Sequence, residues 1–261
     1  MYPILHLGPI LIPAYGLIIV IGMILSLIIA TFYCKIYNLP RQELVLATIL
    51  ASIGMIIGAK ILYLVTVLPD VIKNFDYCKN DIGGTIAYLF GGYVFYGGLI
   101  GIIFGYWFYC KWFDLNFLEM MNIVAPVIPL AHSFGRIGCF FGGCCYGVEY
   151  HGRFAIQFPD NPFVYELSLV QRFPVQLFEA AINFILCIIL LIFARKKRNP
   201  GTNLGIYLIC YSIIRFSVEF LRGDVERGIL FGVSTSQWIS LILIPIGIYL
   251  ICKAKKISSE R

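Results

Sequence analysis

The chain has 261 residues, 60% hydrophobic and 13% charged, about half the roughly 25% charged share of soluble domains. With a mean hydropathy of +0.86, an ordinary soluble domain is excluded. The net charge of +6 would suit nucleic acid, but the basic residues sit in short loops beside apolar runs. That is a membrane-topology pattern, so no nucleic-acid partner is expected.

A spanning helix needs about 20 mostly apolar residues. In chain order the sequence predicts about seven: near 13–33, 44–68, 87–110, 117–138, 174–194, 204–221 and 233–252. The expected fold is an all-α integral membrane protein, 1–261 forming a single polytopic domain. The N-terminal stretch lacks a basic region and a small-residue cleavage site, so no removable signal peptide is expected. With the N-terminus outside, inside loops hold eleven basic residues: Lys35, Arg41, Lys111, Arg195, Lys196, Lys197, Arg198, Lys253, Lys255, Lys256 and Arg261. Outside loops hold six, Lys73, Lys79, Arg153, Arg172, Arg222 and Arg227. The positive-inside rule therefore predicts N-out, C-in, and places residues of about 140–173 in a small extracytoplasmic head rich in aromatics, including Phe163 and Tyr165.

Gly54 and Gly58 in the second segment suit close helix packing. The third carries Gly91, Gly92, Gly97, Gly98, Gly101 and Gly105. The paired Gly97 and Gly98 beside Tyr96 also suit backbone approach to a ligand.

The fourth and sixth segments carry polar residues, which at membrane depth face a cavity or bundle interior. In the fourth, Arg136 stands among glycines, with His132 one helical turn before it on the same face. An arginine is always charged and matches phosphate with a planar fork. In the sixth, Arg215, Glu219 and Arg222 are spaced i, i+4, i+7, which puts them on one helical face and leaves net positive charge. Gln176 and Glu179, three apart, share a face at the start of the fifth.

Nine cysteines give no disulfide framework, but Cys139, Cys144 and Cys145 cluster. Their spacing, even with His132 or His151 nearby, does not match paired zinc ligands, so neither a metal nor another cofactor is expected. Nucleotide-loop, HExxH, GxSxG and dinucleotide signatures are missing from the sequence.

Five stretches, IPAYGLIIVIG, GGYVFYGGLIG, GRIGCFFGGCCYG, FPVQLFEA and EFLRGDVERG followed by STSQWISLILI, together resemble the prolipoprotein diacylglyceryl transferase family over nearly the whole chain. The resemblance implies a multi-pass enzyme of the bacterial cytoplasmic (inner) membrane. Such an enzyme moves the diacylglyceryl group of phosphatidylglycerol onto the lipobox cysteine thiol of a preprolipoprotein and releases glycerol 1-phosphate. Its implied partners are that lipid, the lipobox segment and the bilayer. Arg136, Arg222 and Tyr15 match functional positions, and Gly147 matches the closing glycine of the signature. The expected catalytic set is Arg136, Arg222, Tyr96, His132 and Tyr15. The expected substrate-binding set is Arg136, Gly97, Gly98, Gly147, Gln176, Glu179 and Glu219. The chain departs from the family pattern at Cys139 and Gly142, which replace asparagines, at Cys144, which replaces a glutamate, and at Tyr96, which replaces a histidine. His132 or Tyr96 is left to accept the proton. A paralogue serving another acceptor and a phospholipid-binding transporter are the alternatives.

Overall fold

The computed structural model describes residues 4–7, 10–159, 168–224 and 228–259. Phe163, Tyr165, Arg227 and Arg261 lie outside these described residues. The chain forms two compact units, Met1–Asn38 with Met121–Arg261, and Leu39–Met120.

In the first unit, β1 (Ile4–Leu7) pairs antiparallel with β2 (Ile10–Pro13), Ile4 opposite Pro13. The hairpin runs directly into α1 (Ala14–Tyr33), whose apolar course ends in a 3₁₀ turn, Cys34–Tyr37. Helix α1 packs on α7 (Ile128–Gly142). Gly22 makes room for this: a β-carbon there would lie 2.8 Å from Phe134 Cγ. Between α6 (Phe117–Val124), within which the two units meet in sequence, and α7 lies a 3₁₀ turn, Ala125–Val127. Pro126 and Pro129 lack a donor N–H and break the α-helical ladder. The tighter turn carries the chain past them, and Phe117–Gly142 remains one candidate span.

Helix α8 (Val175–Phe193) packs on α7, and α9 (Thr202–Val218) on α10 (Thr235–Ser259). Gly205 and Gly247 are pressed together, since a β-carbon on either would lie 2.7 Å from the other's carbonyl oxygen. Ala125, Leu186, Leu190 and Tyr207 form an apolar core among these helices. One end is fastened by buried amides: Asn203 Nδ2 donates to Asn122 O at 2.8 Å, and Asn122 Nδ2 to Asn199 O at 2.8 Å.

In the second unit, α2 (Arg41–Lys73) packs on α5 (Phe95–Trp112), with α3 (Phe75–Asn80) and α4 (Ile82–Phe90) between them in sequence. The stretch near 87–110, expected to be one span, is bent by 55° between α4 and α5. Gly91 and Gly92 are poor helix formers, and Val94 adopts an extended conformation and donates its N–H to Ala59 O at 3.1 Å. Lys60 Nζ caps α4 by donating to Leu89 O at 2.9 Å, a favourable place for a cation.

Six helices are long and apolar enough to cross a membrane, or seven if the bent pair is one span, among the described residues. Large apolar side chains stay exposed along them, among them Ile53, Ile57, Ile61, Ile185 and Ile189. In water such a surface would be a liability; against lipid it is matched. The protein is a mostly helical, multi-pass membrane protein.

Candidate active site

His132 and Arg136, one turn apart on α7, meet on one face: Arg136 Nε donates to His132 Nε2 at 3.3 Å. Both face Glu179 on α8, whose Oε1 lies 3.1 Å from Arg136 Nε and 3.4 Å from His132 Nε2. Glu179 is only 2% exposed. A buried carboxylate is tolerated when it is paired, and one carboxylate here serves two basic groups. The helices are pinned at this level by Ser133 Oγ, which donates to Ala180 O at 2.9 Å. Gln176, one turn before Glu179, reaches beyond the helix end and donates from Nε2 to Cys144 O at 2.9 Å.

Helix α7 ends on Gly143, whose φ of 73° only a residue without a β-carbon adopts freely. Its N–H bonds Phe140 O at 3.4 Å, and Cys144 N–H bonds Cys139 O at 3.1 Å, the usual way a left-handed cap satisfies the last carbonyls. Cys145 follows with φ 56°, an uncommon conformation for a side-chain-bearing residue. This double turn folds the chain back on the helix, and the sulfurs of Cys139, Cys144 and Cys145 all lie within 4.8 Å of one another. The linear spacing that argued against zinc does not register this turn. Hydrogen bonds from Cys139 and Cys144 hold the Cys145 thiol below the usual thiol range; burial opposes this, and Arg136 and Arg222 reinforce it.

The next residues fasten the loop to the end of α9. Gly147 and Arg222 form an antiparallel bridge, flanked by Val148 N–H to Leu221 O and Gly223 N–H to Tyr146 O, both 3.0 Å. Gly147 is required by the close approach: a β-carbon there would strike Phe173 O and lie 3.2 Å from Leu221 O. Arg172 braces the same turn, its guanidinium 4.4 Å over the Tyr146 ring and its Nη1 3.3 Å from Gly147 O.

One expectation is corrected. Arg215, Glu219 and Arg222 do not share a helical face, because α9 ends at Val218, a 3₁₀ turn covers Glu219–Leu221, and Arg222 is extended. Arg215 and Glu219 form a buried pair at 2.8 Å, with Arg215 Nη2 donating to Ser236 Oγ at 2.9 Å. Arg222 turns away and grips Asp224, Nε to Oδ1 at 2.9 Å. Burial alone would pull the Arg222 guanidinium down; the bond to Asp224 and the Cys145 thiol hold it above its ordinary value. The tight Arg222-Gly223-Asp224 turn was the only sequence signal for this.

Tyr15, at the first turn of α1, lies against α7, where a β-carbon on Gly138 would be 3.1 Å from its ring. Tyr15, His132, Arg136, Gly147, Gln176, Glu179, Glu219 and Arg222 thus all belong to the first unit. Tyr96, Gly97 and Gly98 belong to the second. There the bare faces of Gly97 and Gly98 are taken up by packing, a β-carbon on Gly97 meeting Leu62 Cβ at 2.6 Å and one on Gly98 meeting Met55 Cγ at 3.3 Å.

The family profile described as prolipoprotein diacylglyceryl transferase matches residues 3–253. The chain belongs to the prolipoprotein diacylglyceryl transferase family. A phosphatidylglycerol–prolipoprotein diacylglyceryl transferase of Clostridium tetani is 35% identical over 235 residues, 90% of each chain. One of Clostridium perfringens is 36% identical over 91% of this chain and 89% of its own. One of Rickettsia bellii is 34% identical over 97% and 94%. As a member of this transferase family the chain is placed among enzymes. Arg136, held against His132 and Glu179, lies within the matched residues.

Proposed function

We propose that the protein transfers the diacylglyceryl group of phosphatidylglycerol to the lipobox cysteine thiol of preprolipoproteins, releasing glycerol 1-phosphate. The observation that carries the reading is that two arginines border the loop that follows α7: Arg136 on α7 itself, paired with Glu179, and Arg222, whose backbone is bridged to Gly147. Two fixed cations of this kind can hold a phosphodiester and stabilise the charge that develops on the departing phosphate, where a preorganised donor is worth about 10²–10³ in rate.

In this reading Arg136 and Arg222 bind the lipid phosphate, and Tyr15 flanks it from α1. Gly147, Gln176 and Glu179 hold the loop and the arginine in place, Glu219 holds Arg215, and Gly97 and Gly98 serve through the packing of α5. Tyr96 and His132 are the proton-accepting candidates among the side chains. The bulk of the chain lies in the bacterial inner membrane with the N-terminus outside and the C-terminus inside, and the segment of about 140–173 is an extracytoplasmic head. The basic run Arg195-Lys196-Lys197-Arg198 after α8 supports that orientation.

The test is mass spectrometry of a synthetic lipobox peptide incubated with phosphatidylglycerol and the detergent-purified protein, with Arg136→Ala in parallel. A diacylglyceryl mass gain on the peptide cysteine, lost in the variant, is expected. No gain beside an active family enzyme would overturn the reading. Lipid consumed without peptide modification would point instead to another acceptor, and lipid moved intact to a transporter.

A further inference from the structure

Three thiols meet at the end of α7 for which the arginine-centred site has no use. Cys139 is buried, Cys145 half-buried and Cys144 exposed, and all three are free. Tetrahedral zinc with thiolate bonds of about 2.3 Å holds its sulfurs about 3.8 Å apart, so sulfurs already within 4.8 Å need to close by only about 1 Å or less. A disulfide would use two of the three sulfurs and demand about 2.05 Å.

The backbone is committed to this arrangement. Two left-handed residues, Gly143 and, two positions later, Cys145, are needed to bring the loop cysteines over Cys139. Cys145 pays for that conformation with a side chain that disfavours it, and strain of this sort is retained where the surroundings enforce it. The loop is enforced from both sides, by Gln176 on Cys144 O and by the Gly147–Arg222 bridge.

We propose that Cys139, Cys144 and Cys145 form a three-thiolate site for a thiophilic divalent cation, zinc by the softness of its ligands, whose fourth position takes the acceptor thiol. Three protein ligands with one open position is the pattern of catalytic rather than structural zinc, and a thiol bound to such an ion is deprotonated outright. His132 is not part of the cluster, and its Nε2 is held by Arg136 and Glu179. The exposed side of the cluster, at Cys144, is the side from which a substrate thiol can enter.

The charges agree. Three thiolates and a dication carry one net negative charge, and two cations border them: Arg136 lies on α7 with Cys139, and Arg222 is bridged to Gly147 in the same loop. The inference rests on the transferase reading. The acceptor thiol would lose its proton to water on binding the metal. Its sulfur would then form a bond to the terminal glyceryl carbon while the carbon–oxygen bond to phosphate breaks, the electron pair leaving with glycerol 1-phosphate.

Metal binding can be read without activity. The full chain, purified in detergent with a phosphine reductant, should carry one zinc per chain by elemental analysis. After replacement by Co²⁺ it should show thiolate charge-transfer absorption and an intense tetrahedral ligand-field spectrum. Cys145→Ser and Cys144→Ser should each lower bound metal and abolish that spectrum; Cys144, being exposed, carries the test if substitutions at the buried Cys139 fail to fold. A lipobox peptide should alter the cobalt spectrum, and its Cys-to-Ser counterpart should not.

Reduced protein that takes up no thiolate-bound metal overturns the site, as does undiminished metal in Cys144→Ser and Cys145→Ser. A spectrum indifferent to the cysteine peptide overturns the open position. Bound metal and a peptide-dependent spectrum with no diacylglyceryl transfer would remove the transferase reading and leave the site standing. Full transfer by chelator-stripped protein would do the reverse.

Discussion

Gly147 and Arg222 are joined backbone to backbone, so the loop that follows α7 is tied to the arginine that follows α9. A glycine is the only residue that fits. Gly147→Ala would drive its new carbon into Phe173 O and against Leu221 O, neither of which can rotate away as a side chain could. Overpacking of this kind costs about 1–3 kcal/mol. Displacing a phosphate-binding group by an ångström costs about 10²-fold in rate. The variant is therefore expected to fold with a lowered melting temperature and to lose transfer disproportionately. A variant with wild-type transfer and wild-type melting would show that the bridge is not needed.

Glu179 is the counter-ion for a buried guanidinium, and its removal should reach beyond catalysis. Taking one partner from a buried pair leaves an uncompensated charge, at about 3–5 kcal/mol. Glu179→Ala is expected to reduce folded yield and melting temperature in detergent. Arg136→Lys keeps the charge but loses the Nε that meets both His132 and Glu179, and an ammonium lacks the planar fork that matches a phosphate. It should retain the fold and lose most of the transfer rate. If Glu179→Ala melts like the parent, the carboxylate does not stabilise Arg136.

Much of this arrangement can be read from helical period. The pairs His132 with Arg136 and Gln176 with Glu179 follow from spacing alone, and the apolar lengths locate the candidate spans. What period cannot supply is where a helix stops. Arg222 falls in the same i, i+4, i+7 row as Arg215, yet α9 has ended before it. The bend at Gly91–Val94 was present as two glycines but read as continuous because the flanks are equally apolar. The hairpin of β1 and β2 was hidden for a similar reason: apart from His6 its residues are all apolar, with no alternation to mark a strand. The meeting of Cys139 with Cys144 and Cys145 depends on two left-handed residues, of which only the glycine is suggestive.

In the second unit the close approach of α2 and α5 rests on missing side chains. A β-carbon on Gly101 would strike Gly54 O, and one on Gly105 would lie 2.6 Å from Ala51 Cα. Helices in lipid depend on such contacts, since no hydrophobic force drives them together. Gly101→Leu is expected to lower the melting temperature markedly, more than Gly16→Leu, where a β-carbon meets nothing within 4 Å. Equal effects of the two substitutions would mean that α2 and α5 do not depend on this seam.

The proton-accepting role separates His132 from Tyr96. His132 Nε2 is the acceptor for Arg136 Nε, so the lone pair a base would use is already engaged, and His132 acts by positioning the arginine. His132→Ala should then lower the rate by roughly 10²-fold through misplacement of Arg136. The pH–rate profile should keep its shape, and His132→Gln, which preserves an acceptor, should recover part of the rate. A true base would behave differently: its loss would remove a limb from the profile, and the amide would not rescue it. Tyr96→Phe is expected to stay within about threefold of the parent, far less than the 10²–10⁴ that general-base catalysis contributes, because in this chain the metal-bound thiol has no need of a side-chain base. A Tyr96→Phe enzyme with a hundredfold deficit and a lost alkaline limb would instead assign the proton to Tyr96 and remove the reason for a metal at the three cysteines.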